Sequence, residues 1–263
     1  MSFIERMHRQ KAMVIMNGNH VTEQLVADVI AYLGGSPLVA EDERDDEALV
    51  SLASAIVLNM GTVSKQSHQR LIHLGRAANL NQKPVVFDPV GAGASTLRKK
   101  QAEAIMAAVS VKVIRGNLSE IAALLSGESS RFGIDATSHA DAVQTALDYA
   151  RLKKAWVVIS GPVDTVSDGK RVFQIKNGHP YLEKNVGMGD ALDSILALGL
   201  VHTTRFEEFV QVVAMLPVAA DLVIKQSAVR GPASFKMALL DKLSQLSQAE
   251  LFDVAHIKEV PVN

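Results

Sequence analysis

Residues 84–114 read PVVFDPVGAGASTLRKKQAEAIMAAVSVKVI. Pro84 to Phe87 is a short apolar run rich in β-branched residues, the pattern of a buried strand. From Ser95 to Val109 apolar residues recur at helical spacing, and from Val111 to Ile114 a second β-branched run follows. Strand, helix and strand in direct succession form the unit of a parallel sheet. The alternation extends in both directions, with further strands at Ala12 to Met16, Ala55 to Asn59 and Ala155 to Ser160. Helical spacing fills Val21 to Leu33, Ser64 to Leu80 and Ser138 to Leu152. The whole predicts an α/β fold, a central mostly parallel sheet with helices on both faces.

After Ser160 the period changes. Asp164 to Ile175, DTVSDGKRVFQI, holds two short alternating runs around Asp168-Gly169, which predicts an antiparallel edge hairpin. From Gly187 onward the spacing predicts three helices, Asp190 to His202, Phe206 to Arg230 and Pro232 to Leu246, with Gly231-Pro232 dividing the last two. No internal repeat or linker-like tract interrupts the chain, so residues 1–263 are expected to form a single domain.

Composition narrows the function classes. A formal net charge of −1 gives no concentrated basic surface for nucleic acid or an anionic membrane. The absence of cysteine rules out a disulfide framework, a thiolate metal site and a cysteine nucleophile, and a reducing cytoplasm is the simplest address. The first residues, MSFIERMHRQK, are charged throughout and lack the apolar run of a signal peptide, and no stretch is apolar for long enough to span a bilayer.

Four segments place polar groups where open α/β sheets bind their ligands, at the carboxyl ends of strands. Asp88 closes one strand and leads into Gly91-Ala92-Gly93, whose backbone allows close approach of a phosphate. As a purely local feature Asp88 would cap the turn. Arg115-Gly116-Asn117-Leu118-Ser119-Glu120 ends the next strand and opens a helix. Asn117 and Glu120 have the spacing of a capping box, and a carboxylate there is equally suited to a hydrated Mg²⁺. Ser160-Gly161 adds a hydroxyl and a pliable backbone on the same rim. Sharpest is Asn185-Val186-Gly187-Met188-Gly189-Asp190: two glycines free backbone N–H groups at a helix start to hold an anion, and the helix dipole favours negative charge there. Asp190 beside them is either a helix cap or the base that accepts a hydroxyl proton.

Several familiar chemistries are absent. No G-x-x-x-x-G-K-[ST] loop occurs, the Gly91-Ala92-Gly93 turn lacks the third glycine of a dinucleotide fingerprint, and the eight histidines form no zinc-binding pair.

The order of short motifs extends the reading: Asn19, Gly34-Gly35-Ser36-Pro37, Asn59-Met60-Gly61-Thr62, Asp88-Pro89-Val90-Gly91-Ala92-Gly93, Arg115 to Ile121, Asp164 to Gly169, Val186-Gly187-x-Gly189 and Gly231-Pro232-x-Ser234-Phe235. Taken together they resemble the hydroxyethylthiazole kinase family of thiamine salvage, within the ribokinase-like superfold. That resemblance implies transfer of the ATP γ-phosphoryl group to the primary alcohol of 4-methyl-5-(2-hydroxyethyl)thiazole. It implies ATP contacts at Arg115, Asn117, Ser160 and Gly189, an acceptor site at Asn19, Val39 and Gly187, Mg²⁺ organised by Asp88 and Glu120, and Asp190 as the catalytic residue. It also implies a homotrimer with active sites at the subunit interfaces. The chain departs from the family's usual residues at Gly18, Asp28 and Val39, where the family usually has Thr, Asn and Met, and at Asp190, where the family usually has Cys and the wider ribokinase-like group Asp. Replacing Met by Val removes a flexible thioether and enlarges the pocket, which favours a differently shaped alcohol. A kinase for a related heterocyclic alcohol, or a nucleotide-binding sensor without turnover, are the competing readings.

Overall fold

The computed structural model describes residues 1–39, 42–132, 141–226 and 228–262. Among these residues nine strands form one sheet in the order β2-β1-β3-β4-β5-β6-β7-β8-β9. β1 (Met13–Asn17), β2 (Ser36–Val39), β3 (Ala55–Asn59), β4 (Val85–Asp88), β5 (Val113–Asn117) and β6 (Trp156–Ser160) run parallel. β7 (Asp164–Ser167), β8 (Val172–Ile175) and β9 (Ile257–Val260) continue the sheet antiparallel. The turn at Asp168-Gly169 joins β7 to β8 as the sequence predicts, and β9 adds an outer strand that the periodicity did not reveal.

Alternation of side chains across the strands builds two cores. Val14, Met16, Val57, Val86, Val113 and Val158 face one way, beneath α1 (Phe3–Arg9), α2 (Glu23–Tyr32), α9 (Met188–His202), α10 (Phe206–Val223) and α11 (Pro232–Gln245). Ile15, Ile56, Leu58, Phe87, Ile114, Val157 and Ile159 face the other, against α3 (Asp46–Leu52), α4 (Lys65–Leu80), α5 (Thr96–Ala108), α6 (Leu118–Phe132) and α7 (Ala142–Lys153). Each aliphatic side chain removed from water on these faces contributes about 1.5–3 kcal/mol. Because both faces are covered, the central strands are apolar at nearly every position, which is why short runs rather than alternation betray them.

Boundaries shift where tertiary pairing outweighs local propensity. β5 begins at Val113 and continues through Arg115, Gly116 and Asn117, held in the ladder by Val158, Ile159 and Ser160 of β6. The helix expected to reach Arg230 passes through Pro217 and ends at Val223. The helix expected from Ser138 begins at Ala142 behind the N-cap Asp141; Ser138 to Ala140 lie outside the described residues. Short elements missed by the periodicity are α1, β2, α3, α8 (Tyr181–Lys184), α12 (Gln248–Val254) and β9. No helix among the described residues is long and apolar enough to cross a membrane.

The strand order matters for function. β1 sends the chain outward to β2, and the next strand, β3, returns to the opposite side of β1. This reversal opens a crevice at the carboxyl ends of β1 and β3, the position at which open α/β sheets bind ligands.

Candidate active site

Asn17 and Asn59 close β1 and β3, and Asp88 closes β4 directly opposite Asn59. α9 points its N-terminus at this edge. Gly187 is its N-cap with φ +90, and an added Cβ would lie 2.6 Å from Thr22 Cγ2, so the turn needs glycine for conformation and for space. At Gly189 a Cβ would lie 2.3 Å from the Arg115 guanidinium, which therefore packs flat against the first turn of the helix. The first-turn N–H groups of α9 have no carbonyl of their own helix to bind, and with the dipole they present positive potential to the crevice.

Asp190 is the third residue of α9, and its carboxylate does not cap that helix. Oδ2 accepts from Asn19 Nδ2 at 2.7 Å and from Thr22 Oγ1, while Oδ1 accepts from Asn59 Nδ2 at 3.1 Å. Three donors, two from the loop between β1 and α2 and one from the end of β3, thus fix its orientation. A cavity of about 10 Å³, enough for one water, lies under it between Asn19, Thr22, Asn59, Asp190 and Asp193 on one side and Met16, Val26 and Val57 on the other.

Asp88 sits at the hub. Its Oδ2 accepts from Asn59 Nδ2 at 3.1 Å and from Arg115 Nη1 at 2.9 Å, and its Oδ1 is buried with no hydrogen bond among the described residues. Burial pushes its pKa up to about 6, with the charges of Glu120 and Asp190 adding to the effect and Arg115 opposing it. Asp193, one helical turn beyond Asp190, is fully buried and brings a third carboxylate: oxygens of Asp88, Asp190 and Asp193 all lie within 4.8 Å of one another. Burial and the charge of Asp88 raise the Asp193 pKa well above the usual carboxylate range. Burial disfavours the charge on Arg115, but Asp193 and Asp88 beside it hold the guanidinium pKa above its ordinary value.

The other predicted residues continue along the same rim. Arg115 Nη2 donates to Ser160 Oγ at 2.9 Å. Asn117 and Glu120 form the capping box that their spacing predicts: Glu120 N–H donates to Asn117 Oδ1 at 3.0 Å and Glu120 Oε2 accepts from Asn117 N at 2.8 Å. Glu120 Oε1 reaches further and accepts the Gly91 N–H at 2.8 Å, tying the glycine-rich turn to α6. Asp164 opens β7 and fastens the turn after Ser160 by accepting the Gly161 N–H at 3.0 Å; burial raises its pKa to about 6. Val39 ends β2 opposite Met16, half-buried against the core, and does not line the small cavity. Asp28 lies on the outer side of α2, accepting from Gln24 Nε2 at 3.0 Å. Gly18 follows β1, and its carbonyl accepts from Thr62 N–H and Oγ1.

Sequence reasoning quoted Asn59 within a motif but gave it no role, and it missed Thr22 and Asp193. Asn59 had a usable signal, since it is a polar residue ending an otherwise apolar buried strand, as Asp88 is. Asp193 had another, its spacing of three from Asp190 on one face of a helix.

Known proteins place this arrangement. The model of the hydroxyethylthiazole kinase family matches residues 4–249. A hydroxyethylthiazole kinase of Lactiplantibacillus plantarum is 35% identical over 260 residues, covering 98% of this chain and 99% of the relative. The structure of a hydroxyethylthiazole kinase protein from Pyrococcus horikoshii superposes with a TM-score of 0.89 at 28% identity, covering 98% of each chain. A ribokinase-like superfamily protein from Enterococcus faecalis shares the fold at a TM-score of 0.66 and 15% identity, covering 89% of this chain and 87% of its own. With a family match over nearly all of its length and a relative of like extent, the chain belongs to the hydroxyethylthiazole kinase family, on the ribokinase-like fold.

Proposed function

We propose that this protein transfers the γ-phosphoryl group of ATP to the primary alcohol of 4-methyl-5-(2-hydroxyethyl)thiazole, yielding the phosphate used in thiamine salvage. The observation that carries the reading is the Asp190 carboxylate, held by Asn19, Thr22 and Asn59 at the first turn of α9 in the crevice between β1 and β3. An alcohol bound along Asn19 and Gly187 gives its proton to Asp190 as its oxygen attacks the γ-phosphorus of ATP, and the bond from that phosphorus to the bridging oxygen breaks to release ADP. The first-turn amides near Gly189 receive the transferring group, since such transfer requires positioning and charge stabilisation more than covalent help. Arg115, Asn117 and Ser160 lie on the nucleotide side of the same rim.

The residues fit a divalent cation. Asp88 presents a buried oxygen with no hydrogen bond among the described residues, and Glu120 lies across Gly91 from it with lone pairs left for bound water, an all-oxygen set suited to Mg²⁺. When bound, Mg²⁺ neutralises phosphate charge. Asp88 and Glu120 would hold it; full activity in excess EDTA would remove this assignment.

The resemblance to a trimeric family and the strong exposure of Val21 and Val186, neighbours of Thr22 and Gly187, support a homotrimer whose acceptor sites are completed by an adjoining subunit. Sedimentation as a monomer at micromolar concentration would refute it. The cysteine-free composition supports a cytoplasmic address.

The test is ATP-dependent phosphorylation of a panel of small alcohols, read by mass spectrometry of the products. The thiazole alcohol should give its monophosphate. A related heterocyclic alcohol is the second reading, favoured by valine at position 39. Val39→Met should then shift relative kcat/KM toward the plain thiazole by about ten- to two-hundred-fold, the worth of one or two carbons in an apolar pocket. Binding of ATP with no turnover of any alcohol would make the protein a sensor.

A further inference from the structure

Asp193 is the acidic residue at this site to which the reaction so far gives no task. It is fully buried, its Oδ1 has no hydrogen-bond partner among the described residues, and its Oδ2 lies 3.4 Å from Asn59 Nδ2 and 3.9 Å from Arg115 Nη1. Both of those neighbours are the donors that hold the reacting side of the site. The Asn59 amide is oriented by the Gly61 N–H, which donates to its Oδ1 at 2.7 Å, so Nδ2 must face the carboxylates. There it meets Asp88 and Asp190 at 3.1 Å each as well as Asp193. Two hydrogens face three carboxylate oxygens, so the amide is drawn among them rather than committed to one.

We propose that Asp193 is a positioning residue for phosphoryl transfer: from behind Asn59 and Arg115 it holds the amide and the guanidinium between Asp88 and Asp190, and so fixes the spacing of phosphate side and acceptor side. A merely stabilising ion pair would look different. Here three carboxylates crowd together and two of them share one guanidinium, the Asp193–Arg115 separation is long, and an oxygen of Asp88 and one of Asp193 are buried with no hydrogen bond among the described residues. Such crowding costs stability, and a buried acidic cluster whose oxygens are only partly satisfied is retained where it does something else.

The inference rests on the kinase reading, and the experiment separates the two. With ATP and the thiazole alcohol, Asp193→Asn and Asn59→Asp should each lower kcat on the order of 10²-fold, the cost of displacing a reacting group by about 1 Å, with KM for the alcohol within about threefold. The double exchange Asn59→Asp with Asp193→Asn keeps volume and charge count, and should restore kcat to within about tenfold of the unaltered chain. Thermal unfolding of Asp193→Asn should come at no lower temperature. A kcat for Asp193→Asn within about threefold of the unaltered chain, or a double exchange no better than the weaker single variant, would overturn the proposal. Should Asp193→Asn fail to fold, Asp193→Ser is held to the same kinetic criterion. A crystal structure of the variant gives a readout independent of turnover: Arg115 Nη1 should leave Asp88, or Asn59 Nδ2 should leave Asp190, by more than hydrogen-bond distance. Unmoved side chains overturn the positioning role, whereas an unaltered chain that phosphorylates no alcohol overturns the kinase reading instead.

Discussion

Glu120, in the first turn of α6, and Asp193, in the second turn of α9, are both buried carboxylates above the same edge of the sheet, yet their oxygens end differently. Glu120 has each oxygen on a backbone N–H, those of Gly91 and Asn117. Asp193 has one oxygen with no hydrogen bond among the described residues and shares its other neighbours with Asp88 and Asp190. The first arrangement is closed: backbone donors satisfy the charge and the loop is fastened. The second is open, with more acceptors than donors, and only a substrate, a cation or a proton completes it. Degree of satisfaction therefore separates the two, although both lie within the first two turns of a helix.

The largest expected effect lies at Asp190, on the open side. Asp190→Asn keeps the shape but loses the proton acceptor, and kcat should fall on the order of 10²–10⁴-fold with ATP affinity changed far less. Asp190→Cys should fall between the two, since a thiol is mostly protonated near neutral pH. Steady-state kinetics on the three proteins decides. If Asp190→Asn stays within about threefold of the unaltered kcat and only unfolds sooner, the open cluster is architecture after all.

The sheet and most of its helices were legible because burial on both faces leaves continuous apolar runs, and because Asp168-Gly169 encodes its own turn. β2 and β9 were not. β2 is built from Ser36-Pro37-Leu38-Val39 and β9 from Ile257-Lys258-Glu259-Val260, short and only partly buried edge strands whose pairing comes from their neighbours rather than from their own pattern. Within the site, residues standing alone at a strand or helix end were readable: Asp88, Asn117, Glu120 and Asp190. Asn59, Thr22 and Asp193 owe their importance to what the fold brings opposite them. Asn59 meets Asp190 across a separation in sequence of 131 residues, which no local motif encodes.

Asp164 lies between the two regimes. One oxygen is satisfied by Gly161, but the group is buried deeply enough that its pKa rises to about 6. The sign follows from linkage: the folded state holds the proton more tightly than the unfolded chain, whose carboxylate titrates near 4, roughly. Stability from this group is fully present below about pH 4 and is lost as pH rises through about 6. Asp164→Asn keeps an acceptor for Gly161 and removes the titration. Urea unfolding should show the variant gaining about 1–3 kcal/mol on the unaltered chain between pH 4 and pH 8. A difference that is flat with pH would mean that Asp164 is ionised without cost, as a fully closed carboxylate would be.

The smallest effect is expected at Glu120, and it tests the closed end of the comparison directly. Glu120→Gln leaves one carbonyl oxygen for two backbone donors, so either Gly91 or Asn117 N–H must face an amide NH₂. Losing one such charge-assisted cap costs about 1 kcal/mol, which for a chain of this size lowers Tm by about 2–4 °C. If Glu120 also holds water on Mg²⁺, the Mg²⁺ concentration for half-maximal activity rises several-fold in the same variant, because a neutral amide attracts a hydrated cation less than a carboxylate does. Both changes together are the expected outcome, read by thermal melts and by Mg²⁺ titration of turnover. A lowered Tm with an unchanged Mg²⁺ midpoint would remove Glu120 from the cation site and leave it as the fastener of the Gly91 turn. Cation binding would then belong wholly to the open cluster, where Asp88 and Asp193 have oxygens to spare.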